Sequence, residues 1–196
     1  GAVLVVLVLL AHNQASQWKD SVTLWSNAVE STGPNVVAED NLGAALLREG
    51  RLDDALVCIR TALQIDPNRP ESHLNMGNIL ARAGQPDAAI AEYQRALELR
   101  PHYEGALINL GKAQLDEGHL PEGRAEYELA LEINPNNPDA LNGLGVALWR
   151  EGHLDDAIAQ FQKALQLDPS HQDAHSNLDQ ILRQKAQASG ANPSRQ

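Results

Sequence analysis

Apolar and polar positions alternate along most of this chain with the period of a helix. Leu141, Leu144 and Leu148 recur three and four residues apart, the spacing of one helical face. Gly152 follows, a residue suited to the left-handed backbone that ends a helix. Asp155 and Asp156 then open a second run, with Ala157, Phe161, Ala164 and Leu165 on one face. Carboxylates complement a helix N-terminus. Pro169 cannot continue that helix and restricts the residue before it. The pattern predicts two antiparallel helices joined by a tight turn.

The same pattern recurs at a fixed interval. Asn41-Leu42-Gly43, Asn75-Met76-Gly77 and Asn109-Leu110-Gly111 are each displaced by 34 residues, and the ruler continues to Gly143-Leu144-Gly145 and Asn177-Leu178-Asp179. Gly50, Gly84, Gly118 and Gly152 keep this interval, as do Ala62, Ala96, Ala130 and Ala164, and Pro67, Pro101, Pro135 and Pro169. Four series sharing one period identify a repeat architecture. Gly43, Gly77, Gly111 and Gly145 fall in mid-helix, where glycine costs about 1 kcal/mol relative to alanine. Their place is explained if a neighbouring helix, carrying Ala55, Ala89, Gly123 or Ala157, approaches closely.

In unit 138–171 the order of small residue, Gly, apolar, Ala, aromatic, Ala, Pro falls on Gly145, Gly152, Leu154, Ala157, Phe161, Ala164 and Pro169. These residues resemble the tetratricopeptide repeat. The resemblance covers units 36–69, 70–103, 104–137 and 138–171. Small departures occur at Ile59, Pro86 and Gly123. It implies an all-α fold, a right-handed α-solenoid of helix–turn–helix repeats. Trp18, Ser21, Trp25 and Ala28 match a second helix, so 15–35 reads as a degenerate half-repeat. Residues 172–188 read as a capping helix with His175, Leu178 and Leu182 inward. Residues 189–196 read as a disordered tail.

The chain has no initiator Met and starts with eleven apolar residues, GAVLVVLVLLA. A span needs about 20. Residues 1–14 therefore read as the end of a truncated transmembrane helix and its flank. A buried helix or strand and a trimmed signal sequence stay open. The flank is poor in Lys and Arg, which suits the non-cytoplasmic side, periplasmic or lumenal.

Charge and composition narrow the functions. Fifteen Lys and Arg stand against 26 Asp and Glu, a formal net charge of −11. That argues against nucleic acid as a partner. The third unit carries the largest share, with Asp116, Glu117, Glu122, Glu126, Glu128 and Glu132. One cysteine, Cys58, excludes an intrachain disulfide and reads as a buried inert thiol. No phosphate loop, nucleophile elbow or metalloprotease His pair occurs. His171 and His175 stand four apart, but as metal ligands they would need a third ligand; a solvated pair near a helix start is the simpler reading. No catalytic residue, metal site or cofactor is expected.

What remains is a surface. In the resembled family the first helices line a concave groove, and the residue before the pattern's Leu points into it. Here it is Asn41, Asn75, Asn109 and Asn177, with Gly143 in the fourth unit and Asn142 beside it. An Asn amide donates and accepts, so a row of them can pair with an extended peptide backbone; solvation is the competing reading of the same row. Arg48, Arg82, Lys112, Trp149 and Arg150 complete the candidate groove, Trp and Arg being frequent carriers of interface energy. The positions that clamp a carboxylate in chaperone-binding members hold Asp40, Ala44, Asn75, Gly105 and Asn109, without a cation. No preference for an acidic C-terminal tail is expected.

These features imply a module that binds an extended peptide or protein segment. Two alternatives stay open. The apolar span, Gln17-Trp18-Lys19-Asp20-Ser21 with Leu24-Trp25, and the repeats are similar in arrangement to the C-terminal region of multi-spanning membrane glycosyltransferase-like, O-mannosyltransferase-like proteins. There the repeats would recruit the acceptor for an upstream catalytic part. The other alternative is a structural scaffold of a cell-envelope complex.

Overall fold

A computed structural model describes residues 21–33 and 35–188. The apolar N-terminal segment, the start of the degenerate half-repeat at 15–20, and the tail 189–196 lie outside them. Ten α-helices occur among the described residues: α1 (Ser21–Thr32), α2 (Val36–Arg48), α3 (Leu52–Ile65), α4 (Pro70–Arg82), α5 (Pro86–Leu99), α6 (Glu104–Asp116), α7 (Leu120–Ile133), α8 (Pro138–Arg150), α9 (Leu154–Leu167) and α10 (Gln172–Ala188). The chain forms two compact units, Gly1–Leu99 and Arg100–Gln196. None of the described helices is long and apolar enough to cross a membrane.

Local chemistry sets the helix ends. Asn35 and Asn137 cap α2 and α8 by accepting from the backbone N–H of Ala38 and Ala140, each at 2.9 Å. Pro70 and Pro138 open α4 and α8, where the missing N–H would have no helical partner. Between paired helices the turn passes through a glycine with positive φ, +78° at Gly50 and +89° at Gly152, a backbone that other residues rarely adopt.

The helices of a pair meet across the mid-helix glycines. A Cβ on Gly145 would lie 2.5 Å from the Phe161 ring, and one on Gly77 would lie 2.4 Å from Tyr93. Gly43 faces Ile59 in the same way. The close approach expected from the sequence is therefore present, with the large side chain at the centre of the second helix filling the space. In the first unit Ile59 joins Leu42, Leu46, Leu47, Met76 and Ile79 in one core, with Val22, Trp25 and Val29 of α1 packed against it. In the second unit Phe161, Ala157 and Ile181 form a core edged by Leu178 and Trp149.

The capping helix turns differently from the expectation. His175 is exposed and Leu182 is 44% exposed, whereas Ala174 and Ile181 are fully buried. The 34-residue interval also carries a series of small residues, Ala38, Ser72, Ala106, Ala140 and Ala174, all buried. Ala174 lets α10 settle against Leu141 and Ala164, which rotates the buried stripe onto Ala174, Leu178 and Ile181.

Candidate functional site

In the first unit, α2 and α4 carry Asn41, Arg48, Asn75 and Arg82. Asn41 and Asn75 are half-buried. The Asn41 amide donates to its own helix, to the Val37 carbonyl at 2.8 Å. Arg82 donates through Nη1 to the Leu47 carbonyl at the end of α2, a carbonyl that also accepts from Gly50 N at 3.1 Å. Arg48 is exposed. Behind this face lies a buried cluster: the Asp40 carboxylate accepts from Ser72 Oγ at 2.7 Å and from Arg69 Nε. Burial lifts the Asp40 carboxyl above its ordinary value, opposed by those two hydrogen bonds.

In the second unit, α6, α8 and α10 carry Asn109, Lys112, Asn142, Trp149, Arg150 and Asn177. Asn177 Nδ2 donates to Asn142 Oδ1 at 2.9 Å, linking two positions of the Asn row. Arg150 repeats what Arg82 does, donating to the Leu115 carbonyl at 2.5 Å, with Asp116 at 3.7 Å. Trp149 is half-buried, set edge-on to Phe161 at 6.4 Å, and its Nε1 donates to Gln184 Oε1 at 2.7 Å. It packs into the seam towards the capping helix.

An open groove of about 330 Å³ brings several of these residues together. Asn109, Lys112, Asn142, Gly143 and Arg150 line it, with Ile108, Leu115, Asp116, Tyr127, Asp139, Val146 and Asp173. Tyr127 is one of the lining residues that the sequence pattern did not place there. A Cβ on Gly143 would stand 2.1 Å from its ring, so the break in the Asn row at 143 is the space this ring fills. The signal was in the register: Tyr127 follows Tyr93 by one period.

The histidines and the cysteine have structural roles here. His171 is not a solvated residue; its side chain is 10% exposed. Its Nδ1 accepts from Ala174 N at 3.2 Å, leaving Nε2 to donate to Asp139 Oδ1 at 3.2 Å. His175 instead faces the Pro169 carbonyl. Burial, and Glu39 beside it, push the Cys58 thiol up to about 11. Among the described residues no group of three His, Cys, Asp or Glu side chains could hold a metal ion.

Paired helices, glycine contacts and a groove on the first helices together define a repeat protein of the solenoid class. The tetratricopeptide repeat models match residues 35–102, 74–138 and 108–172, and the chain belongs to that family. A thermophilic TPR protein of Thermus thermophilus is similar in structure, with a TM-score of 0.72 and 21% identity over 91% of this chain and 95% of its own. YrrB, a TPR protein with an unusual peptide-binding site, has a TM-score of 0.63 and 22% identity over 86% of each chain. MamA 41-end from Desulfovibrio magneticus RS-1 has a TM-score of 0.68 and 26% identity over 80% of this chain and 88% of its own. No curated protein matches the chain by sequence.

Proposed function

We propose that this chain is a protein-interaction module that holds an extended segment of a partner against the open face of its first helices. The observation that carries the reading is the groove of the second unit. The side chains of Asn109 and Asn142 stand there beside Val146, over a floor made by Gly143 and Tyr127. Extended segments present one N–H and one C=O per residue, and Asn offers both complements. The volume sits at the small end of ligand sites, which suits one or two side chains of a peptide. YrrB, similar in fold and carrying a peptide-binding site, supports the same reading.

The test uses the whole chain against an array of immobilised heptapeptides of mixed sequence. Replacing Asn109 and Asn142 together by Ala is expected to weaken the bound peptides about tenfold, the loss of one to two net hydrogen bonds, with the helical circular-dichroism signal retained. Undiminished binding by the double variant would count against the groove.

A further inference from the structure

Tyr127 differs from its repeat counterpart in one respect. Tyr93 donates its hydroxyl to Asn78 Oδ1 at 3.0 Å. One period on, Lys112 stands where Asn78 stood, and the Tyr127 hydroxyl has no hydrogen-bond partner among the described residues. The Tyr127 side chain is otherwise enclosed, at 4% exposed. Its Cε1–Cζ edge lies over Gly143, and the residue forms part of the groove wall. A phenol held this rigidly, with an open oxygen, is a preformed contact point for a ligand.

The charges around it have a sign. Asp116, Asp139 and Asp173 line the groove against Lys112 and Arg150. Arg150 is already occupied by the Leu115 carbonyl and lies 3.7 Å from Asp116. Asp139 accepts from the Nε2–H of His171. Burial raises the Tyr127 phenol above its ordinary value, and Asp116 and Asp139 push it the same way against Arg150. Three carboxylates against two cations leave the groove lining with an excess of one negative charge. A cleft with such an excess concentrates cations.

We propose that this groove selects a basic side chain, Lys or Arg, in the bound segment. The cationic head sits at the Tyr127 hydroxyl oxygen, among the carboxylates of Asp116, Asp139 and Asp173. A carboxylate in the same place would face three like charges, offset only in part by Lys112 and Arg150. An apolar side chain would leave the phenol oxygen without a partner, which an enclosed polar group tolerates poorly. This inference rests on the reading of the groove as a peptide site and adds the chemistry it prefers.

Three heptapeptide libraries test it, randomised everywhere except the centre, which is fixed as Lys, norleucine or Glu. Each is titrated against the full chain by fluorescence anisotropy. The Lys library is expected to bind about tenfold more tightly than the norleucine library, the effect of one hydrogen bond to a charged group, and the Glu library least. Tyr127→Phe keeps the ring over Gly143 and removes only the hydroxyl. It is expected to weaken the Lys library several-fold and to tighten the norleucine library, whose side chain no longer strands the phenol oxygen, with the melting temperature unchanged. Equal binding of Lys and norleucine libraries, or a Tyr127→Phe variant that binds Lys peptides as well as the parent, overturns the cation preference and leaves the peptide groove standing. Absence of binding by all three libraries overturns both.

Discussion

Gln114 shows how much one residue can depart from its repeat. Leu46, Leu80 and Leu148 hold the same position in the other units. Gln114 is 8% exposed, and its Oε1 is the buried side-chain oxygen without a partner among the described residues. A buried acceptor left unpaired costs roughly 1–3 kcal/mol. Gln114→Leu restores the residue of the other units, and the variant is expected to be about 1–2 kcal/mol more stable by urea denaturation. Lower stability would show that the amide has a partner in solution. The position was readable from the period alone, but its burial was not. Repeat register says which residues are equivalent; only packing says which equivalent residue is short of a partner. Tyr127 belongs to the same case, since the period sets its ring in register with Tyr93 and Phe161 and says nothing of its hydroxyl.

At the scale of the helix pair, the mid-helix glycines set the spacing. Gly145 has the Phe161 ring where its Cβ would be. Gly145→Leu is expected to destabilise by about 3 kcal/mol through overpacking, read as a fall in melting temperature. A melt matching the parent would refute the close approach. Successive pairs of the first unit are tied by the buried Asp40, Arg69 and Ser72 cluster. Because burial lifts the Asp40 carboxyl above 3.8, the folded chain keeps a proton that the unfolded chain has released. Its contribution to stability is fully present below pH 3.8 and is lost as pH rises through the raised folded value. Denaturation of the parent against Asp40→Asn across this window should show the parent losing ground as pH rises; a constant difference contradicts the shift. The helix pairs, their turns and the close glycine contacts were legible because they follow from spacing. The rotation of α10 was not, since both Ala174–Leu178–Ile181 and His175–Leu178–Leu182 form a helical stripe. The small Ala174 decides between them by how closely it can pack.

At the scale of the molecule, the candidate residues divide by what they do. Asn109, Lys112, Asn142 and Arg150 meet in one groove. Arg82 and Arg150 also brace their stacks, each donating to the last turn of an earlier helix, and Trp149 packs against Phe161. The periodic Arg series was visible in the sequence, but a basic residue at that spacing serves a carbonyl as readily as a ligand. The net charge of −11 also takes on a location here, since Asp116, Asp139 and Asp173 place part of it in the groove itself. The most direct test of the whole account is to map a bound Lys-centred heptapeptide by amide chemical shifts. The account predicts movement at Asn109, Lys112, Asn142, Gly143 and Val146, with exposed positions of the second helices, such as Leu129 and Lys163, unmoved. Shifts confined to α7 and α9, with the groove residues still, would contradict it.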